Sequence, residues 1–499
     1  MTARSPWLVL AVVSSALFLI VIDMTVLYTA LPTLTRDLDA SATQKLWIVN
    51  AYSLVVAGLL PGAGALGDRY GHRRMFMIGL AIFGAASLAA GFAPTPGALI
   101  AARAGLAVGA AAMMPATLSI IRQSFDDPGQ RALAIGIWAA VASGGAALGP
   151  VIGGALLDHF RWGAVFLVNL PVVAAALILT AILVPRGSAQ GHHPFDPVGS
   201  VQALVGLIGV TLAIKEIARP QPSAAVALVS AGAGLAALTL FLRRQRRPDP
   251  MIDLSLFRDR RFAGGVIGAL VSAAALLGVQ LAITQRLQLV EGLSPLQAGL
   301  SILPIPLAAF VAGPLAGLML GRVGAGRLLS ATLALSGAGI LIYGAGLGRP
   351  WAELVSFAVM GAGIGAAMTA ASSAIMLNAP ADRAGMAASV EEVSYELGGA
   401  LGIALLGSLL AGIYSATFTA TAGLTSGLMG GASADSLDGA LITAATLPIP
   451  EAARLVAIAT AAFDRATGIV ALTAGLMLLA AALWVGRIDR AGRAVGQNA

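Results

Sequence analysis

The chain contains no cysteine, and its 499 residues include only four histidines. The lack of cysteine excludes disulfide bonds and thiolate metal sites. The histidines do not pair at helical spacing, so the sequence predicts no metal site. It also shows no nucleophile–base pair and no lysine-containing phosphate loop. We therefore expect neither an enzyme nor a cofactor-binding protein.

Charge is also scarce, because 11% of the residues are charged whereas 58% are hydrophobic, and the mean hydropathy is +0.88. A soluble protein cannot solvate such a surface, and apolar stretches of about 20 residues indicate membrane-spanning helices. The sequence predicts an all-α integral membrane protein with fourteen spans. They lie roughly at 7–31, 45–65, 76–94, 98–121, 133–157, 164–184, 198–217, 223–242, 262–284, 297–319, 328–347, 352–376, 386–413 and 466–486.

The basic residues give an orientation. Most of the 30 lysines and arginines lie in loops on one side, if the spans alternate in direction. The positive-inside rule then predicts that both termini are cytoplasmic. The net charge of +7 mostly reflects this bias. Because the basic residues are dispersed over short loops, we expect no nucleic-acid partner.

Two segments recur at one common offset along the chain. GALGDRYGHRR at 64–74 returns as GLMLGRVGAGR at 317–327, and GAALGPVIGGALL at 145–157 returns as GGALGIALLGSLL at 398–410. Repeated halves around a central path are a transporter architecture. We predict a six-helix half at 1–190, two additional helices at 191–250, and a second half at 251–499. An external loop at 415–464 is expected to hold short amphipathic helices.

Three acids interrupt an apolar segment. VEEVSYELGG at 390–399 carries Glu391, Glu392 and Glu396, whereas the run 384–412 has no other charged residue. An ionised side chain at mid-bilayer costs roughly 2.5–3.5 kcal/mol, so such residues usually mark ion or substrate paths. On a helix the three fall within an arc of about 140°. Asp23 and Arg103 also lie within predicted spans. Glu391 is nearest the cytoplasmic end, which predicts either an entrance residue or a solvated interfacial turn.

Two glycine-rich segments have a predicted mechanical role. In the loop 64–74, Gly64 and Gly71 permit a tight turn, Asp68 can approach a neighbouring helix end, and the arginines can bridge to the other half. The arginines are Arg69, Arg73 and Arg74. In the fifth span, small residues allow close helix packing and a proline kinks the helix. These residues are Gly145, Gly149, Pro150, Gly153 and Gly154.

Several motifs together resemble one family. IDMTVLYTALP at 22–32, LWIVNAYSL at 46–54, GALGDRYGHRR at 64–74 and ALGPVIGG at 147–154 are similar to motifs of the major facilitator superfamily. LQLVEGLSPLQAGL at 287–300 and RAGMAASVEEVSYELGGALG at 383–402 also look typical. Over essentially its full length the chain resembles the fourteen-span drug:proton antiporters, in particular the exporters of quaternary ammonium compounds, dyes and fluoroquinolones.

The resemblance implies a monomeric multidrug efflux antiporter of the bacterial cytoplasmic (inner) membrane, which contributes to antibiotic resistance and is driven by the proton gradient. Its partners would be cationic amphiphilic drugs, protons and the lipid bilayer. It implies that Asp23 and the acids of span 13 face one cavity, that Arg103 balances a carboxylate, and that the loop 64–74 gates the path. Candidate aromatic contacts to the drug are Trp47, Tyr52, Trp138 and Tyr395.

The chain departs from the family pattern at two places. Leu106 and Ala107 replace the Gln-Gly pair that usually follows the arginine of span 4, and the stretch 299–319 of span 10 carries no acid. Binding of protons and of charged substrate is therefore expected mainly in spans 1 and 13. Two alternatives stay open: an exporter of a self-made neutral or acidic metabolite, and a non-transporting membrane receptor.

Overall fold

The computed structural model describes residues 5–185, 196–217, 223–247, 250–422 and 431–497. The first half of this structure contains α1 (Pro6–Asp37), α2 (Ala42–Tyr70), α3 (His72–Gly91), α4 (Pro96–Ser124), α5 (Pro128–His159), α6 (Ala164–Leu167), α7 (Asn169–Leu183), α8 (Pro197–Ile217) and α9 (Ala224–Arg244). The remainder contains α10 (Arg260–Gln285), α11 (Pro295–Ser301), α12 (Pro304–Val323), α13 (Ala325–Ala345), α14 (Pro350–Asn378), α15 (Ala384–Ala422), α16 (Gly431–Asp435), α17 (Leu437–Ala444) and α18 (Ile449–Gln497). Short 3₁₀ helices lie at Leu254–Arg258 and Ala381–Arg383, and a π-helical turn lies at Arg286–Val290.

The prediction of fourteen spans in an all-α membrane protein is confirmed. Within the described residues, 14 helical segments are long and apolar enough to cross a membrane, and no strand is present. One span combines α6 with α7, and another combines α11 with α12. The predicted boundary between 190 and 191 lies outside the described residues.

Local sequence signals determine where helices begin. Ser41 caps α2 in a capping box with Gln44, and the side chains of Thr95 and Asp127 cap α4 and α5. Such caps satisfy backbone N–H groups that have no partner within the helix. In α4 and α5 the cap is followed by proline in the first turn, where its missing N–H costs nothing.

The two copies of the loop repeat have the same backbone turn. Gly71 separates α2 from α3 with φ of 93°, and Gly324 separates α12 from α13 with φ of 85°. A positive φ favours glycine, because a Cβ would clash with the backbone in this conformation. The recurrence in the sequence therefore corresponds to a recurrence in structure.

The segment 415–464, predicted as an external loop with short helices, is largely helical in this structure. α15 continues to Ala422, and α18 already begins at Ile449, with α16 and α17 between them. Alanine is frequent in this segment, and it is the strongest helix former. The longer loop was predicted because glycine and serine are also frequent in this segment. Residues 423–430 lie outside the described part.

The two halves meet at one end of the bundle, which we call the basic end because Arg69, Arg73 and Arg74 lie there. A Cβ on Gly136 of α5 would be 2.5 Å from the carbonyl oxygen of Gly313 on α12. A Cβ on Gly64 of α2 would be 2.4 Å from the carbonyl oxygen of Gly385 on α15. These helix backbones are therefore in close contact, and the bundle is closed at the basic end.

Candidate functional site

A buried ion pair joins α1 to α4. Arg103 donates from Nη1 to Oδ2 of Asp23 over 2.6 Å, and the side chains are 2% and 0% exposed. Asn169 of α7 donates to the other carboxylate oxygen, Oδ1, over 3.4 Å and to Ser87 over 3.2 Å. The guanidinium of Arg103 is thus buried and paired with a carboxylate. Sequence reasoning missed Asn169, a polar residue within an apolar run.

A segment of α2 also contacts the Asp23–Arg103 pair. Arg103 donates from Nε to the carbonyl oxygen of Ile48 over 3.4 Å. Its guanidinium carbon lies 4.6 Å from the ring centroid of Tyr52, a cation–π geometry. Ile48 and Tyr52 are i and i+4, so both face α4 from the same side of α2. Tyr52 is therefore placed directly at a charged group of the interior.

The first two acids of α15 are fully inside the bundle. Glu391 is 0% exposed and accepts a hydrogen bond from the hydroxyl of Ser372 on α14, and Glu392 is 5% exposed. The entrance role predicted for Glu391 stays a prediction, whereas the solvated interfacial turn is wrong for this structure. The reason is that α15 begins at Ala384, so α14 and the neighbouring helices already surround its second turn.

The third acid, Glu396, lies one helical turn beyond Glu392 and is half-buried. α8, which carries Lys215, packs against both α15 and α2. Lys215 donates to Oδ1 of Asn50 on α2 over 2.9 Å. Sequence reasoning did not identify Lys215, although it is one of only two lysines and ends an apolar span.

The other candidate aromatic residues have different surroundings. Trp47 is 43% exposed at the start of α2. Trp138 is 1% exposed and donates its indole N–H to Thr117 over 3.1 Å, so it packs within the first half. Tyr395 is half-buried and packs against the core of the second half. Of the four, Tyr52 is the one that contacts an interior charge.

The loop 64–74 connects the halves through its acid. Asp68 accepts hydrogen bonds from the backbone N–H groups of Gly385 and Met386, over 2.8 and 2.9 Å. These N–H groups belong to the first turn of α15, where the helix dipole favours a negative charge. His72 lies 3.2 Å from the same carboxylate. The predicted approach of Asp68 to a helix end is thus observed.

Two arginines of this loop have contacts within their own half. Arg73 donates to the carbonyl oxygens of Thr180 and Ala181, because α7 ends beside it, and Arg69 lies over the ring of Tyr70. The bridge to the other half that was predicted for the arginines stays a prediction. Arg122 of α4 does bridge the halves, by donating to the carbonyl oxygens of Ala379 and Pro380 after α14.

The glycines of the fifth span pack α5 against α1. A Cβ on Gly145 would be 3.2 Å from the Val21 side chain, and one on Gly149 would overlap Thr25. Gly153 faces Val26 and Thr29 at 3.3 Å, whereas Gly154 has no neighbour within 4 Å. Pro150 lies in α5, and its side chain is outside the described part.

The repeat copy of these glycines makes the same kind of contact. A Cβ on Gly398 or Gly402 of α15 would be 2.2 or 2.0 Å from a carbonyl oxygen of α10. Close helix contact is therefore a property of both copies, and the small residues make it possible.

Comparisons with known proteins identify the class of this fold. A profile of the Major Facilitator Superfamily matches residues 13–402. The chain belongs to the major facilitator superfamily and is a membrane transporter, not an enzyme.

Two relatives and one solved structure show which transporters the chain is similar to. The chain is 42% identical to the multidrug efflux pump LfrA of Mycolicibacterium smegmatis over 491 residues, which covers 97% of each chain. It is 39% identical to the methyl viologen resistance protein SmvA of Salmonella typhimurium over 400 residues, covering 79% of this chain and 80% of SmvA. The crystal structure of the human organic anion transporter MFSD10 superimposes with a TM-score of 0.62 at 15% identity, covering 95% and 99% of the chains, which supports the fold alone.

Proposed function

We propose that this chain is a proton-coupled antiporter that exports lipophilic cations, among them quaternary ammonium compounds, dyes and fluoroquinolones. It acts as a monomer in the bacterial inner membrane, with both termini in the cytoplasm. The proton gradient is its only energy source, so no cofactor is required. The names of the similar proteins support drug efflux, and methyl viologen in one of those names is an organic dication.

The observation that carries the proposal is the excess of acids inside the bundle. Asp23, Glu391, Glu392 and Glu396 lie there, and among the described ion pairs only Asp23 has a cationic partner, Arg103. Ionised carboxylates removed from water cost several kcal/mol unless a proton or a cation compensates them. A lipophilic cation also buries its apolar surface against the helices. Protons and drug cations therefore compete for the same groups.

The closed basic end fits one state of an alternating-access cycle. With the termini in the cytoplasm, the basic end is the cytoplasmic side, which is closed in this structure. Asp68 and Arg122 stabilise the closure through their bonds across the halves. Protonation of the interior acids from outside releases the drug. Loss of the protons to the cytoplasm, after the basic end opens, prepares the acids for the next cation.

Flux into proteoliposomes under an imposed pH gradient tests this function. Ethidium, a lipophilic cation, is compared with chloramphenicol, a neutral drug, while proton movement is recorded. We expect ethidium to move and protons to move in the opposite direction. Transport of chloramphenicol alone would contradict the cation assignment and favour export of a neutral metabolite. Movement of neither compound would contradict the proposed export of lipophilic cations.

A further inference from the structure

The segment that joins the two additional helices to the second half is folded against both halves. We call residues 245–258 the strap, of which 245–247 and 250–258 lie in the described part. The strap follows α9 and passes through the short 3₁₀ helix at Leu254–Arg258 into α10. Its contacts show that it is more than a connection between two helices.

The first part of the strap is held on the side of the first half. Gln245 accepts with Oε1 from the backbone N–H of Ile252 over 2.9 Å, which folds the strap back on itself. Met251 is 9% exposed and packs with side chains of α8 and α9. Ala65 of α2 packs against the same cluster, next to Gly64, where the two halves meet. This part of the strap therefore covers α2 at the basic end.

The middle of the strap contacts the start of α15 through Asp253. The backbone N–H of Asp253 donates to Sδ of Met386 over 3.3 Å. Its carboxylate oxygen Oδ2 lies 3.1 Å from Nη1 of Arg383, which forms an ion pair. Arg383 and Met386 flank Ala384, the first residue of α15. The strap thus reaches the helix end to which Asp68 of the first half is also bonded.

Beyond Asp253 the strap packs on the second half. The Asp253 carboxylate caps the 3₁₀ helix by accepting from the backbone N–H of Ser255 over 2.9 Å. The ring of Phe257 lies 5.3 Å from that of Phe262 on α10, in an edge-to-face arrangement. The strap therefore crosses from the first half to the second at the closed basic end. Asp253 lies between its two attachments, so separation of the halves there acts on the contacts of this residue.

We propose that the strap restrains opening of the basic end, because the contacts of Asp253 with Arg383 and Met386 stabilise the closed state and break when the halves separate. The additional helices thereby take part in the conformational cycle, although they have no counterpart in the sequence repeat. The ion pair is partly exposed, 27% at Asp253 and 17% at Arg383, and such pairs contribute modestly. The restraint thus shifts the equilibrium without blocking it. It acts on the closure itself and is independent of the compound that the chain transports.

Labelling of a buried thiol in the full-length protein tests the restraint without any drug. The chain has no cysteine, so Ser389→Cys, 1% exposed between α2 and α15, introduces a single thiol that reacts with a maleimide when the basic end opens. Asp253→Asn removes one charge of the pair and keeps an acceptor for Ser255, whereas Arg383→Gln removes the other charge. We expect each variant to be labelled about two- to fivefold faster, as for loss of a partly exposed ion pair.

A double-mutant cycle separates the ion pair from a general loosening of the strap. If the two charges act on each other, Asp253→Asn with Arg383→Gln is labelled no faster than either single variant. Asp259→Asn is the matched control, because Asp259 caps α10 by accepting from the N–H of Arg261 over 2.7 Å. We expect this control to be labelled at the wild-type rate.

A second variant tests the other contact of the strap and remains useful if the charge variants do not fold. Met386→Leu removes the sulfur acceptor of the Asp253 N–H and nearly conserves the side-chain volume. We expect labelling about twofold faster, because one weak hydrogen bond of the closed state is lost. Wild-type labelling rates in Asp253→Asn, Arg383→Gln and Met386→Leu would overturn the proposal. Equal acceleration by Asp259→Asn, or additive acceleration in the double variant, would also overturn it.

Discussion

The guanidinium of Arg103 and the carboxylate of Asp23 form a contact of 2.6 Å between helices α1 and α4, inside the bundle and away from solvent. The two residues are 80 positions apart in the sequence. Asn169 and Ile48 supply further hydrogen bonds to the two charges. A buried pair with this many partners is costly to break from one side, because the remaining charge is left uncompensated.

We therefore expect Arg103→Ala to destabilise the protein by about 3–5 kcal/mol and to abolish concentration of drug against a pH gradient. The double variant Asp23→Asn with Arg103→Ala removes both charges and should recover part of the lost thermal stability. Thermal unfolding in detergent measures the loss of stability, and flux into vesicles measures the loss of drug accumulation. A double variant less stable than Arg103→Ala alone would contradict this account of the pair.

The closed basic end depends on Asp68. Asp68→Asn replaces one of two acceptor oxygens by a donor, which faces a backbone N–H at the start of α15. We expect the closed state to weaken by about 1.5–3 kcal/mol and turnover to fall. Because the chain has no cysteine, Ser389→Cys, buried between α2 and α15, reports opening by its labelling rate.

The matched control for this variant is Asp127→Asn. Asp127 also caps a helix, by accepting from Gln130 over 2.7 Å, but it makes this bond within α5. Its replacement should leave the labelling of Cys at 389 unchanged. Normal turnover and normal labelling in Asp68→Asn would show that the loop merely sets the topology.

Close contact between α5 and α12 predicts that a second substitution also shifts the equilibrium between the closed and the open basic end. A Cβ on Gly317 would be 2.5 Å from the carbonyl oxygen of Ala132, and backbone atoms cannot move aside without separating the helices. Gly317→Ala should therefore open the basic end and increase labelling of the Ser389→Cys reporter. Gly321→Ala, one turn further along α12, has no neighbour within 4 Å and should behave as wild type. Equal labelling in the two variants would refute the steric argument.

An ion pair holds the ends of the additional helices together. Asp196, before α8, accepts from Arg244 at the end of α9 over 2.5 Å, and this bond lowers the pKa of the Asp196 carboxyl. A lowered pKa in the folded state contributes stability above the unfolded pKa, and this contribution is lost as the pH falls. Asp196→Asn should thus unfold at a lower temperature than wild type at pH 7.

The difference in unfolding temperature between Asp196→Asn and wild type should shrink below about pH 4, where the wild-type carboxyl also becomes protonated. Scanning fluorimetry of both proteins across pH measures it. A difference that stays constant down to pH 3 would mean that Asp196 contributes through its shape and not through its charge.

The sequence allowed the spans and the acids of the interior to be predicted. Helix number follows from apolar length, which the bilayer thickness imposes independently of packing. Asp23, Arg103 and the glutamates of α15 are conspicuous because charge is costly within an apolar run. Asp68 was also correctly expected at a helix end. The positive-φ turn at Gly71 and its repeat copy followed from glycine itself.

Partners contributed by distant helices were not predictable in the same way. Asn169, Lys215 and Arg122 acquire their roles only when helices far apart in the sequence pack together. Glu391 was expected near a solvated end, but its burial depends on where α14 lies. Helix packing, and not local sequence, decides these contacts. The division of the chain into domains at 190 and 250 stays a prediction.

The competition between drug and proton for the interior acids is tested most directly by proton release. Ethidium is added to purified protein in weakly buffered detergent solution near pH 7, and a pH-sensitive dye reports protons. We predict that wild type releases protons on binding and that a variant with Asp23→Asn, Glu391→Gln, Glu392→Gln and Glu396→Gln releases none. Saturable ethidium binding to the wild type with no proton release would contradict the exchange on which the account rests.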